Sequence, residues 1–195
     1  MEYHYRKSHR LANYDYGSYG YYYITICTNK RKPLLSRIVG SDALVAPKLT
    51  PLGQEVLTCW KNIAAKNENV EHDAFVFMPN HIHGIIILRN IRQIPVAEKK
   101  YGFEIAEEAG RRSIQGLIRD FKSVTTRIYK KKYYGKTSLW QESFYDEIIR
   151  SDAHYQSVWN YIDGNPSKWI EDELYIADSF WSDEGVAPYK GNTES

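Results

Sequence analysis

The chain of 195 residues is long enough for one domain, or for one domain with a substantial insertion. Its 43% hydrophobic and 26% charged residues are ordinary globular values, which exclude a disordered or fibrous class. A net charge of +2 argues for no particular partner, and the two cysteines, Cys27 and Cys59, offer neither metal-ligand spacing nor a disulfide scaffold.

Residues 1–19 read as a basic N-terminal arm without the apolar core of a signal peptide. No run approaches the roughly 18–20 apolar residues of a membrane span, so a cytoplasmic protein without a membrane partner is expected. "GYYYITICT" (20–28) is rich in aromatic and β-branched residues and predicts a strand. Residues 33–47 predict a β-hairpin turning at Gly40-Ser41-Asp42, part of an insertion over 30–48. Thr50 and Pro51 then open a helix, as cap and first helical residue, with Leu52, Val56, Leu57, Trp60, Ile63 and Ala64 at helical spacing. Two strands follow, "HDAFVFM" and "HIHGIIIL", around a Met-Pro-Asn turn, and residues 90–112 read as a polar excursion.

The segment 113–131 is the clearest helix. Ile114, Leu117, Ile118, Phe121, Val124 and Ile128 form one stripe, with Arg119, Lys122, Thr126 and Lys130 opposite. "FYDEIIR" (144–150) predicts a last strand. A short helix capped by Ser151 or Asp152 ends at Gly164-Asn165-Pro166. Strand, helix, strand, strand, helix, strand, with one helix appended, is the split βαβ, ferredoxin-like arrangement: an α+β fold, an α/β sandwich on an antiparallel sheet. The core domain is read as 20–170 and the remainder, 171–195, as an acidic tail, loose after Trp181.

Charge is unevenly spread. Residues 111–136 carry nine Lys/Arg against the single acid Asp120, whereas 171–184 carry six acids and no base. With 17 Tyr and 5 Trp, many beside cations, the chain has the ingredients of a single-stranded nucleic-acid surface, where bases stack on rings and phosphates meet cations. Tyrosine used simply for packing accounts for the same count.

The chemistry concentrates in "MPNHIHGIII" (78–87). His81 and His83, at i and i+2 of a strand, point to one side. Two neutral imidazoles leave a divalent ion its positive charge, suiting it to polarise a phosphoryl oxygen. Two histidines hydrogen-bonded locally on a sheet are the plainer alternative. Gly84 beside them leaves room for a close approach. On the last helix, Tyr155, Val158, Trp159 and Ile162 form the buried side. Tyr161 and Asn165 stand one turn apart on an adjoining face. Tyrosine, with a pKa near 10, needs a cation close by to act as a nucleophile.

Taken together, "MPNHIHGIII", "FKSVTTR" and "LWQESFYDEIIRSDAHYQSVWNYIDGNPSKW" resemble the single-tyrosine HUH transposases, including the REP-associated tyrosine transposases, over about Tyr21 to Trp169. HUH denotes His, a hydrophobic residue, His: here His81-Ile82-His83. The resemblance implies a metal-dependent enzyme that cuts and rejoins single-stranded DNA beside imperfect hairpins, acting at the bacterial nucleoid. It implies Mg²⁺ or Mn²⁺ bound by His81, His83 and Asn165, and attack by Tyr161 giving a 5′-phosphotyrosine link and a free 3′-hydroxyl. Arg119, Lys122, Arg127 and Lys130 would hold hairpin phosphates, while Trp140 and Gln141 open the family's "WQ" segment. Relatives occur as homodimers and as monomers, so both states stay open. Two other readings remain. One is a hairpin-binding protein that keeps the fold without turnover. The other is a histidine-triad nucleotide hydrolase, against which Ile85 stands where a third histidine belongs.

Overall fold

The computed structural model describes residues 18–39, 45–89 and 113–177. The turn expected at 40–42, the excursion at 90–112 and most of both terminal segments lie outside them. The strands are β1 (Gly20–Cys27), β2 (Ser36–Val39), β3 (Ala46–Leu49), β4 (Val70–Phe77), β5 (His81–Leu88) and β6 (Tyr145–Ile149). The α-helices are α1 (Pro51–Ala65), α2 (Ile114–Lys132) and α3 (Asp152–Gly164), and a 3-10 helix, Pro166–Glu171, follows α3. The main sheet has the order β4-β5-β1-β6, every pair antiparallel, while β2 and β3 pair as a separate hairpin. This is the ferredoxin-like order expected, with the hairpin inserted between β1 and α1.

Strand alternation divides the molecule into layers. On one face Tyr22, Ile24, Ile26, Ile82 and Ile86 pack against Trp60 of α1 and Leu117, Ile118 and Phe121 of α2. On the other, Val76, Met78, Ile85 and Ile149 receive Val158 and Ile162 of α3. Burying an aliphatic side chain of this size contributes about 2 kcal/mol. All three helix starts are capped, at Thr50 and Ser151 as expected and also at Ser113. Thr50 accepts a hydrogen bond from Gly53 N, Ser113 from Gly116 N, and Ser151 from His154 N.

Two local expectations need correction. Val124 is 41% exposed, and Thr125 takes the core position of that turn. The helix rotates so that the Thr125 hydroxyl, donating to Phe121 O, can accept from Trp140 Nε1 at 2.7 Å. Trp140 is accordingly buried packing. Gly84 opens no space for a ligand either. It faces the α1 layer, opposite the histidines, and a Cβ there would lie 2.8 Å from Trp60 Cζ2 and 3.2 Å from Phe75 Cβ. Gly84→Ala should therefore cost roughly 1–3 kcal/mol, the usual penalty of overpacking, read as a lower urea midpoint with unchanged m-value.

A bulge in β4 between His72 and Phe75 turns Asp73 toward α3. There Tyr155 donates a hydrogen bond to the Asp73 carboxylate, and on the other side His154 Nε2 lies 3.5 Å from Glu147 of β6. Helix α3 is thus docked by its apolar stripe and by polar contacts to two strands. Among the described residues no helix is long and apolar enough to cross a membrane.

Candidate metal centre and nucleophile

The first residue of β5 is His81, and the turn before it supplies its partner. Asn80 Nδ2 donates to Leu174 O at 2.8 Å, which fixes the amide so that Oδ1 faces His81 Nδ1 at 2.7 Å. The proton then sits on Nδ1 and the lone pair on Nε2. That Nε2 is buried with no hydrogen-bond partner. His83 Nδ1 lies 2.8 Å from Tyr23 Oη and 2.9 Å from Thr25 Oγ1, both on β1, leaving Nε2 to face the site. The imidazole rings meet edge-on with centroids 4.4 Å apart.

Helix α3 and the chain after it complete the group. Tyr161, 49% exposed, holds Oη 3.5 Å from His83 Nε2 and 3.4 Å from Asp172 Oδ2. Asn165 caps α3 and is buried. Its Nδ2 donates to Asp172 Oδ2 at 2.9 Å, and its Oδ1, like His81 Nε2, has no partner. A ligand atom from each of His81, His83 and Asp172 lies within 4.8 Å of the others.

Buried polar atoms are almost always hydrogen-bonded, so two lone-pair donors left bare at one spot call for a ligand. Imidazole nitrogen, amide oxygen and carboxylate oxygen together suit a divalent cation. The titration behaviour agrees. Burial lowers His83 to about 4, against a smaller opposing influence from Asp172. Burial, then the charge of His83, lowers His81 well below its ordinary value. Both are neutral at pH 7, the form that binds metal. Burial first, then Asp172, pushes Tyr161 up to about 12, so the phenol by itself is protonated and unreactive.

His81, His83, Tyr161 and Asn165, expected together, are together. The basic residues Arg119, Lys122, Arg127 and Lys130 sit on α2, across the sheet. Arg119, Arg127 and Lys130 are exposed. Lys122 Nζ instead donates to the carbonyls of Gln141 at 2.6 Å and Glu142 at 2.7 Å, tying the "WQ" segment to α2. Asp172, which in the sequence lies in the acidic tail, was not expected at the site. Residues 172–174 come back beside the site: Asp172 Oδ1 accepts from Leu174 N at 2.6 Å, Asn80 Nδ2 donates to Leu174 O at 2.8 Å, and Arg31 donates to Glu173 O at 3.3 Å. The available signal was distance along the chain, since a 3-10 turn after Pro166 brings residue 172 back to residue 165. Tyr23, Thr25 and Asn80 were also missed, and only the register of β1 on β5 reveals the first two.

The fold, a ferredoxin-like sheet with His-φ-His opening a central strand and a tyrosine on the helix after the last strand, is similar to that of a solved transposase. One solved structure, a REP-associated tyrosine transposase bound to a REP hairpin, is 20% identical with a TM-score of 0.53, covering 96% of this chain and 94% of that one. No family model matches the chain. An uncharacterized protein of Haemophilus influenzae is 33% identical over 177 residues, 89% of this chain and 94% of its own length, and the chain belongs to one family with it.

Proposed function

We propose that the protein is a metal-dependent single-stranded DNA endonuclease and strand transferase that recognises hairpin-flanked DNA and cuts it through a 5′-phosphotyrosine intermediate. The observation that carries this reading is the Tyr161 hydroxyl poised beside His83 Nε2, with His81 Nε2 and Asn165 Oδ1 buried and without partners. His81, His83 and Asn165, with Asp172, would hold Mg²⁺ or Mn²⁺. A cation there supplies positive charge to a phosphoryl oxygen.

The remaining chemistry belongs to the chain. Tyr161 Oη attacks the scissile phosphorus, the bond to the 3′-oxygen breaks, and that oxygen leaves as a 3′-hydroxyl. Asp172, 3.4 Å from the phenol, is suited to accept its proton. The phosphodiester is conserved in the tyrosine link, so an incoming 3′-hydroxyl reverses the step without ATP. Docking of α3 at Asp73 and Glu147 positions the nucleophile, and the exposed cations of α2 offer counter-charge to hairpin phosphates. A histidine-triad hydrolase has no support, because Ile85 is buried beneath α3.

The test is incubation with Mn²⁺ and end-labelled single strands bearing randomised flanks around hairpins. A metal-dependent covalent protein–DNA band is expected, and sequencing it yields the target. Hairpin binding without an adduct would make the protein a silent binder; neither would sink the reading. Asp172→Ala should weaken Mn²⁺ binding roughly tenfold or more in a calorimetric titration, as loss of a metal-site partner does. Unchanged affinity would remove Asp172 from the ligand set.

A further inference from the structure

A second tyrosine stands beside the candidate centre, on the same face of the sheet. Tyr145 of β6 pairs with Thr25 of β1, and Thr25 pairs with His83 of β5. Neighbouring strands lie about 4.8 Å apart, so this cross-strand row carries Tyr145 roughly 10 Å from His83. Between them Tyr23 forms a spacer. Its ring meets Tyr145 edge-on at 6.0 Å and Tyr161 edge-on at 6.3 Å. Thr25 and His83 are buried in that row, yet Tyr145 is 38% exposed, comparable with Tyr161 at 49%.

The ring is also fixed in place. Tyr145 Oη donates to Glu147 Oε2 at 2.8 Å, and Glu147 Oε1 lies 3.5 Å from His154 Nε2 of α3. Helix α3 therefore stops short of covering Tyr145 and orients it through Glu147. A part-exposed ring held at its hydroxyl beside such a site is what an unpaired base stacks on, and four-stranded sheets with aromatic side chains bind single strands in this way. The Glu147 carboxylate disfavours a phosphate above the ring, which leaves the uncharged base as the part of a strand that belongs there.

Resting on the function proposed above, we infer that Tyr145, oriented by Glu147, is the stacking platform for the unpaired nucleobase adjoining the scissile phosphate. Stacking of this kind changes affinity by roughly 5- to 150-fold per base.

The test uses the full chain carrying Tyr161→Phe, with the strand whose cut site the adduct experiment maps. 2-Aminopurine is placed singly at each nucleotide near the cut. One position next to the cut should lose fluorescence on binding. That quench should vanish in Tyr145→Ala, with roughly tenfold weaker binding of the flanked strand but not of the bare hairpin. Tyr145→Phe should keep both. If Tyr145→Ala fails to fold, Tyr145→Leu, which retains a bulky apolar side chain but no ring, gives the same reading. An unchanged quench and affinity in the ring-less variant would overturn the stacking role while leaving strand cleavage intact. A wild-type chain that forms no adduct would overturn the parent reading, and this one with it.

Discussion

Tyr161→Phe is expected to abolish the covalent adduct and strand cleavage, by a factor on the order of 10⁴ or more, while hairpin affinity stays within about twofold. Removing a nucleophile commonly costs that much, because the remaining groups can bind and polarise but not form the bond. The substitution deletes one oxygen from a half-exposed ring. Its contacts to His83 Nε2 and Asp172 Oδ2 are long at 3.5 and 3.4 Å. Folding stability should therefore move by less than about 1 kcal/mol. The ring itself stays, so packing against Tyr23 and His83 is retained. Denaturing gels with labelled strands read the adduct, and filter binding reads the affinity. Residual adduct above a few per cent of wild type would show that another residue is the nucleophile, and Tyr145 or Tyr23 would be the first to examine.

The fold was legible because each element carried its own boundary chemistry. Thr50-Pro51 and Ser151 mark two helix starts, and the apolar run in "HIHGIIIL" predicts a buried strand. The candidate centre was legible in its local part. His81 and His83 are linked by strand period, and Tyr161 and Asn165 by one helical turn. What escaped was set by register and return of the chain. Thr25 and Tyr23 reach His83 only because β1 pairs with β5 in the observed register. Asp172 enters only because the chain after Pro166 comes back beside the site. Lys122 reads in sequence as a surface cation, yet its ammonium finds backbone carbonyls of the 141–143 segment. Gly84 reads as room for a ligand, yet Trp60, 24 positions earlier, fills the space. In each case the deciding partner comes from another element, beyond the reach of local periodicity.

Without metal, the protein should lose stability steeply between pH 6.5 and pH 4. The cause is three imidazoles that folding strips of water. Burial lowers His72 to about 4, a backbone hydrogen bond at Trp60 opposing it, and its ring lies against Trp60 at 4.8 Å. Burial also lowers His83 to about 4, and His81 well below its ordinary value. In each case the folded pKa lies under the unfolded value of 6.5. The unfolded chain therefore binds more protons throughout that window. Stability is fully present above pH 6.5 and falls as pH drops toward the folded pKa values. Near pH 5 the difference approaches three protons, a slope of roughly 3–4 kcal/mol per pH unit. Against a typical total of about 5–15 kcal/mol, that is enough to unfold the chain before most carboxylates protonate.

Urea midpoints between pH 7 and pH 4.5 in a chelator read the slope. His72→Phe should reduce it by about a third, since one of the three protons is gone and the aromatic packing remains. A saturating divalent cation should move the loss to lower pH, because it binds the neutral imidazoles of His81 and His83 and must be displaced by protons. That shift should vanish in His81→Ala and persist in His72→Phe, which separates the two histidines that face the nucleophile from the one that packs in the opposite layer. A slope below one proton, or a cation effect indifferent to His81, would contradict the buried, metal-ready pair on which the catalytic reading depends.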